Sequence, residues 1–111
     1  MSDARFDLGA VVRQAQELSE KLRRVQEELR HRTVSVTVGG GLVEVSASGA
    51  LEITGVRIDA QAVDPRDVAM LQDLVRAGVN QALARAKELA QEAMRQATGM
   101  PLPFGPSGSG A

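Results

Sequence analysis

The sequence predicts an α+β fold, with a long N-terminal helix, a three-stranded antiparallel meander and a long C-terminal helix. Three observations predict it. Apolar residues between Leu8 and Arg32 recur in steps of three and four. Between Thr33 and Asp59 they recur in steps of two, and from Pro65 to Thr98 the helical spacing returns.

In the first helix the apolar positions are Leu8, Val11, Ala15, Leu18, Leu22, Val25 and Leu29, a heptad seam with Leu8, Ala15, Leu22 and Leu29 at one core position and Val11, Leu18 and Val25 at the other. A stripe this narrow suits a helix packed along one or two others. Asp7, just before the first periodic residue, is the expected N-cap.

Thr33-Val34-Ser35-Val36-Thr37-Val38 alternates and is rich in β-branched residues, which predicts a strand with one buried face. Leu42–Ser48 predicts a second strand, with Val43, Val45 and Ala47 on one side. Leu51–Asp59 predicts a third, whose apolar residues change parity between Ile53 and Val56. A β-bulge or bend near Gly55 would let both sets face the core.

Asp64-Pro65-Arg66-Asp67 reads as a helix start, with Asp64 as N-cap and Pro65 at the first helical position. Val68, Leu71, Val75, Gly78, Ala82, Ala86, Leu89, Ala93 and Ala97 then form one stripe. Its small members, with Ala90, would let another helix approach closely. Leu18, Leu22, Val25, Val43, Val45, Leu71, Val75, Gly78 and Ala82 are the expected core and dimer-packing residues. Residues 1–7 are expected to be a flexible N-terminus, residues 8–98 one domain, and residues 99–111, rich in Gly, Pro and Ser, a disordered tail.

The composition narrows the possible functions. The chain has no Cys, so a disulfide framework and a thiolate zinc site are excluded. Its two aromatics, Phe6 and Phe104, lie near the termini, so the core must be aliphatic. No run approaches the length of a membrane span and no apolar leader opens the chain, which leads us to expect a soluble, intracellular protein. Net charge is −1, but it is unevenly distributed: residues 21–39 carry +3, residues 40–73 carry −4, and residues 74–111 carry +2. The basic excess falls on the helices.

Gly39-Gly40-Gly41 does not form a phosphate cradle. Strands are predicted on both sides of it, no Gly-Lys-Ser/Thr follows, and the spacing is not that of a dinucleotide fingerprint. Three glycines between alternating strands predict a hairpin turn with positive φ.

The segment GGGLVEVSASG, followed by Val56-Arg57-Ile58-Asp59, Met70-Leu71-Gln72-Asp73-Leu74-Val75 and Val79-Asn80-Gln81-Ala82-Leu83, resembles the YbaB/EbfC family of bacterial nucleoid-associated proteins. Val12-Arg13-Gln14-Ala15-Gln16-Glu17-Leu18 and Val25-Gln26-Glu27-Glu28-Leu29 resemble the family's Gln/Glu-rich first helix. Gln72 and Gln81 stand where the family usually has acidic residues, and Gly78 where Ala is common, which predicts a slightly weakened helix. The resemblance implies a homodimer in which strands of both subunits form a central layer and paired helices project like tweezers. It also implies DNA binding that alters DNA conformation, with roles in nucleoid organisation, gene regulation and DNA protection, and no catalytic site.

The residues themselves favour no enzyme. His31 lies between Arg30 and Arg32 at a helix end without a second metal ligand or a triad partner, and reads as a cation complementing the helix dipole. Asp59, Asp64 and Asp67 lack the spacing of a calcium loop, and capping accounts for two of them. Asp73 and Asn80 read as hydrogen-bonding groups near a dimer interface. No cofactor or metal is expected.

The scarcity of aromatics disfavours single-strand recognition by stacking, and no zinc finger, basic zipper or helix-turn-helix is evident. What remains is phosphate contact with double-stranded DNA by basic side chains, which carries little base information. The candidates are Arg13, Lys21, Arg23 and Arg24 on the first helix, and Arg85, Lys87 and Arg95 on the second. Intrahelical pairs such as Glu17–Lys21 and Glu20–Arg24 would instead make these a solvated face. A dimeric adaptor that binds another protein through its exposed helices is the alternative reading.

Overall fold

The computed structural model describes residues 7–99, so the expectations for the N-terminal segment 1–6 and the tail 100–111 lie outside the described residues. Helix α1 runs Leu8–Leu29, strands β1, β2 and β3 run Thr33–Val38, Val43–Ser48 and Ile53–Ile58, a 3₁₀ turn spans Ala60–Ala62, and helix α2 runs Val68–Thr98. The strands form one antiparallel sheet in the order β1-β2-β3. The α+β architecture is the predicted one, in an elongated molecule of 81 × 32 × 17 Å.

Local chemistry sets the element ends. Asp7 caps α1, its carboxylate accepting from the Ala10 N–H at 3.3 Å. The glycine run forms the β1–β2 hairpin, with φ of 66°, 69° and 95° at Gly39, Gly40 and Gly41, a region that side chains disfavour. The start of α2 differs from the prediction. Asp64 closes its own turn by accepting from the Arg66 N–H at 2.9 Å, and Asp67 caps the helix by accepting from Met70 N–H at 3.2 Å. The helix therefore begins at Val68, not Pro65.

The core is one contact surface. Alternation puts Val43, Val45 and Ala47 of β2 on the face covered by α2, and all three are fully buried. Ala82 and Ala86 of α2 are equally buried, and Val34, Val36, Val38, Leu71, Leu74, Val75, Val79 and Leu83 complete the cluster. Gly78, Ala82 and Ala86 of α2 admit the sheet, where the sequence suggested a second helix, while Ala90 stands beside Leu29 of α1. A methyl group placed on Gly78 would lie 2.7 Å from Val45 Cγ2, well inside van der Waals contact. Gly78 is thus a packing requirement as well as a weak helix former.

Beyond that surface the chain leaves apolar side chains open. A register shift opposite Ser46/Ala47 pairs Ala47 with Ile53 and Ser46 with Gly55, so Thr54 is the extra residue of a bulge. The bulge keeps Ile53, Val56 and Ile58 opposite Ala47, Val45 and Val43, as the parity change predicted. They are not covered, however. α2 lies across β1 and β2 and scarcely reaches β3, leaving these three 37%, 42% and 42% exposed.

The α1 seam is likewise open over most of its length. Packing is confined to its C-terminal end: Leu29 is buried and lines a cleft with Ala90 and Met94 of α2 and with Leu51 of the β2–β3 turn. Leu22 and Val25 are half-buried, whereas Leu18, expected in the core, is 45% exposed and Leu8 63%.

Two substitutions test the core contact. Gly78→Ala gains up to about 1 kcal/mol of intrinsic helix propensity, yet the clash with Val45 should make it net destabilising by about 1 kcal/mol. In thermal unfolding, adding Gly78→Ala to a Val45→Ala variant should cost nothing further. Additive losses would show that the two sites do not touch.

Candidate nucleic-acid interface

The first-helix cations sit on a projecting arm. From Val11 to Lys21 every residue of α1 is exposed. At about 100° per residue, Arg13 and Arg24 stand only about 20° apart around the helix, and about 16 Å apart along it. They share a shallow hollow with Gln16, Glu17 and Glu20, on the side away from the apolar seam. Arg23 lies round the helix toward the seam, beside Ala15, Leu18, Ser19, Leu22 and Gln26.

The second-helix cations do not form one patch. Arg85, Lys87 and Arg95 are all exposed, but the helical repeat sets Arg85 and Lys87 on nearly opposite sides of α2. Lys87 and Arg95 are about 80° apart.

Ion pairing divides the seven candidates further. Arg23 Nη2 donates to Glu20 Oε2 at 2.5 Å, and Arg95 Nη2 donates to Glu92 Oε1. Among the described residues, Arg13, Lys21, Arg24, Arg85 and Lys87 have no carboxylate within salt-bridge distance. The predicted Glu17–Lys21 and Glu20–Arg24 pairs are therefore not formed. Glu20 reaches one residue short of Arg24, to the neighbour three positions along, which is equally accessible on a helix surface.

Arg32 is a further exposed cation without an ion pair among the described residues, in the turn between α1 and β1. The Arg-His-Arg run is its signal in the sequence, where the helix dipole alone was enough to account for it. His31 itself lies past the helix end, with Nε2 3.5 Å from Glu27 Oε2, and Arg30 shares the same carboxylate at 3.3 Å. Asp73 pairs with Arg76 at 3.0 Å on the surface. Asp59, Asp64 and Asp67 each accept a backbone N–H at a turn or helix start, so all three have structural work.

The model of the YbaB/EbfC DNA-binding family matches residues 4–101. The chain belongs to that family. Among curated relatives, a nucleoid-associated protein of Thermoanaerobacter sp. is 43% identical over 94 residues, covering 85% of each chain. Nucleoid-associated proteins of Pelotomaculum thermopropionicum and Moorella thermoacetica are 42% and 43% identical over 93 residues, covering 84% of this chain and 89% of theirs. The fold is also that of a crystal structure of an uncharacterized protein from Helicobacter pylori, with a TM-score of 0.74 at 17% identity over 85% of this chain and 99% of the other. Among the described residues of this YbaB/EbfC chain, no helix is long and apolar enough to cross a membrane.

The Glu92 knot has a titration consequence. The hydrogen bond from Arg95 lowers the Glu92 carboxyl below the ordinary glutamate value, against the opposing effect of desolvation, and the Arg95 charge and a 3.0 Å bond from Gln96 Nε2 add to the lowering. Because the folded value is depressed, the associated stabilisation is present above the unfolded value and is lost as pH falls through the folded one. In an NMR titration Glu92 should show a midpoint below the ordinary glutamate value, and Arg95→Gln should raise it. A midpoint that does not move would contradict the pairing.

Proposed function

We propose that this protein is a nucleoid-associated protein that binds duplex DNA as a homodimer, with little sequence specificity, and alters DNA conformation within the cytoplasmic nucleoid. Nucleoid organisation, regulation of gene expression and DNA protection are the corresponding roles, and they are architectural, not catalytic. Membership of a DNA-binding family over nearly the whole chain carries this reading.

The distribution of charge supports the mode of binding. Basic side chains on exposed helices suit phosphate contacts, which position a protein on DNA without reading bases. Arg13, Lys21, Arg24, Arg85 and Lys87 are the readiest contacts because no carboxylate among the described residues is ion-paired with them, and Arg23 and Arg95 are available only after their ion pairs open.

The homodimer has a separate physical motive. A helix the length of the free part of α1 is marginal alone in water, and its exposed seam, with the open face of β3, is apolar surface that a second chain would cover.

Two measurements test the proposal. Sedimentation at low micromolar concentration should give a folded dimer, which Leu22→Asp dissociates; a folded monomer of the parent would contradict the assembly. Changing Arg13, Lys21 and Arg24 together to Gln should weaken binding to unrelated duplexes by about the same factor, and should flatten the log–log salt dependence by about 0.9 for each phosphate that is no longer neutralised. Unchanged binding at every salt concentration would mean that DNA is held elsewhere, or that the exposed helices serve a protein partner.

A further inference from the structure

Of the seven candidate cations, the two that are ion-paired share one arrangement, the three-residue spacing also found at Glu27–Arg30 and Asp73–Arg76. In each helix a glutamate three residues earlier in the chain holds an arginine, Glu20 with Arg23 on α1 and Glu92 with Arg95 on α2. Glu92 is held from a second side by Gln96. Each pair stands on a helix that also carries unpaired cations, and all four side chains remain accessible, between 44% and 71% exposed. A phosphate approaching Arg23 or Arg95 therefore meets a guanidinium already occupied by a carboxylate, with the carboxylate's charge repelling the newcomer.

Resting on the duplex-DNA reading, we propose that Glu20 and Glu92 are intramolecular competitors of DNA phosphate that withhold Arg23 and Arg95 from the interface and set the affinity below what the cation count allows. Surface pairs of this kind are weak, so they compete without locking the arginine away. The signature lies in the salt dependence, because only cations that neutralise a phosphate release counterions and add to the slope. Removing a competing carboxylate frees its arginine for one more phosphate. Removing a carboxylate that holds no cation changes net charge only.

Glu17 supplies the control. It lies in the same hollow as Glu20 but forms no ion pair among the described residues. The full-length chain and its Glu20→Gln, Glu92→Gln, double and Glu17→Gln variants would be titrated with a fluorescent duplex at 50 and 200 mM salt. Each newly neutralised phosphate should multiply the loss of affinity between those concentrations by about 3.5, and the double variant by at least about 12. Glu17→Gln should change affinity by the same factor at both salt concentrations and so leave the slope as in the parent, and adding Arg23→Gln to Glu20→Gln should restore the parent slope. Equal slopes in the parent, the double variant and Glu17→Gln would overturn the proposal while leaving the DNA reading intact. A parent that binds no duplex at either salt concentration would overturn both.

Discussion

The structure depends on the close seating of α2 on β2. Gly78, Ala82 and Ala86 form the part of the helix without bulky side chains, and Val43, Val45 and Ala47 form the part of the sheet pressed against it. With so little side-chain volume between backbones, packing there is intolerant of added atoms. The same seating orients the rest of the molecule. It lays the N-terminal half of α2 over β1 and β2, carries the C-terminal half past the sheet, and brings Ala90 and Met94 to Leu29 at the end of α1.

Because the core is confined to that surface, the remaining apolar groups are left outside it. β3 presents Ile53, Val56 and Ile58 on the covered face of the sheet but beyond the reach of α2, and α1 leaves the body after its last packed turn. The side of the arm that carries Arg13 and Arg24 lies opposite the unpartnered heptad seam, whereas Lys21, next to Leu22, flanks it. Assembly and DNA contact are thus proposed for opposite sides of one helix, which lets a second chain cover the seam without occluding Arg13 and Arg24.

Much of this was legible in the sequence, because burial imposes a period. The alternation of Thr33–Val38 matched β1 residue for residue, and the parity change around Gly55 located the bulge. The same signal was silent on what covers each stripe. A heptad seam says that Leu18 prefers a neighbour but not whether that neighbour is in the same chain, and here the described residues provide none. Asp64 and Asp67 are both competent caps, and only the backbone path decides that Asp64 serves its own turn while Asp67 starts α2. Gly78, Ala82 and Ala86 of α2 read as a helix contact, as Ala90 is, because small side chains permit any close approach. The candidate cations were visible as residue types, but their division into free and ion-paired sets depends on whether a glutamate reaches three residues along or four.

The proposed dimer would stabilise the α1 arm by covering its seam, whereas α2 on β2 is a core in its own right. Hydrogen exchange followed by mass spectrometry across a dilution series tests it most directly. The account predicts that amides of Leu8–Lys21 lose protection as the protein is diluted through its association range, while those of β2 and of α2 around Gly78–Ala86 stay protected. Protection of Leu8–Lys21 that is independent of concentration, whether high or absent throughout, would contradict it.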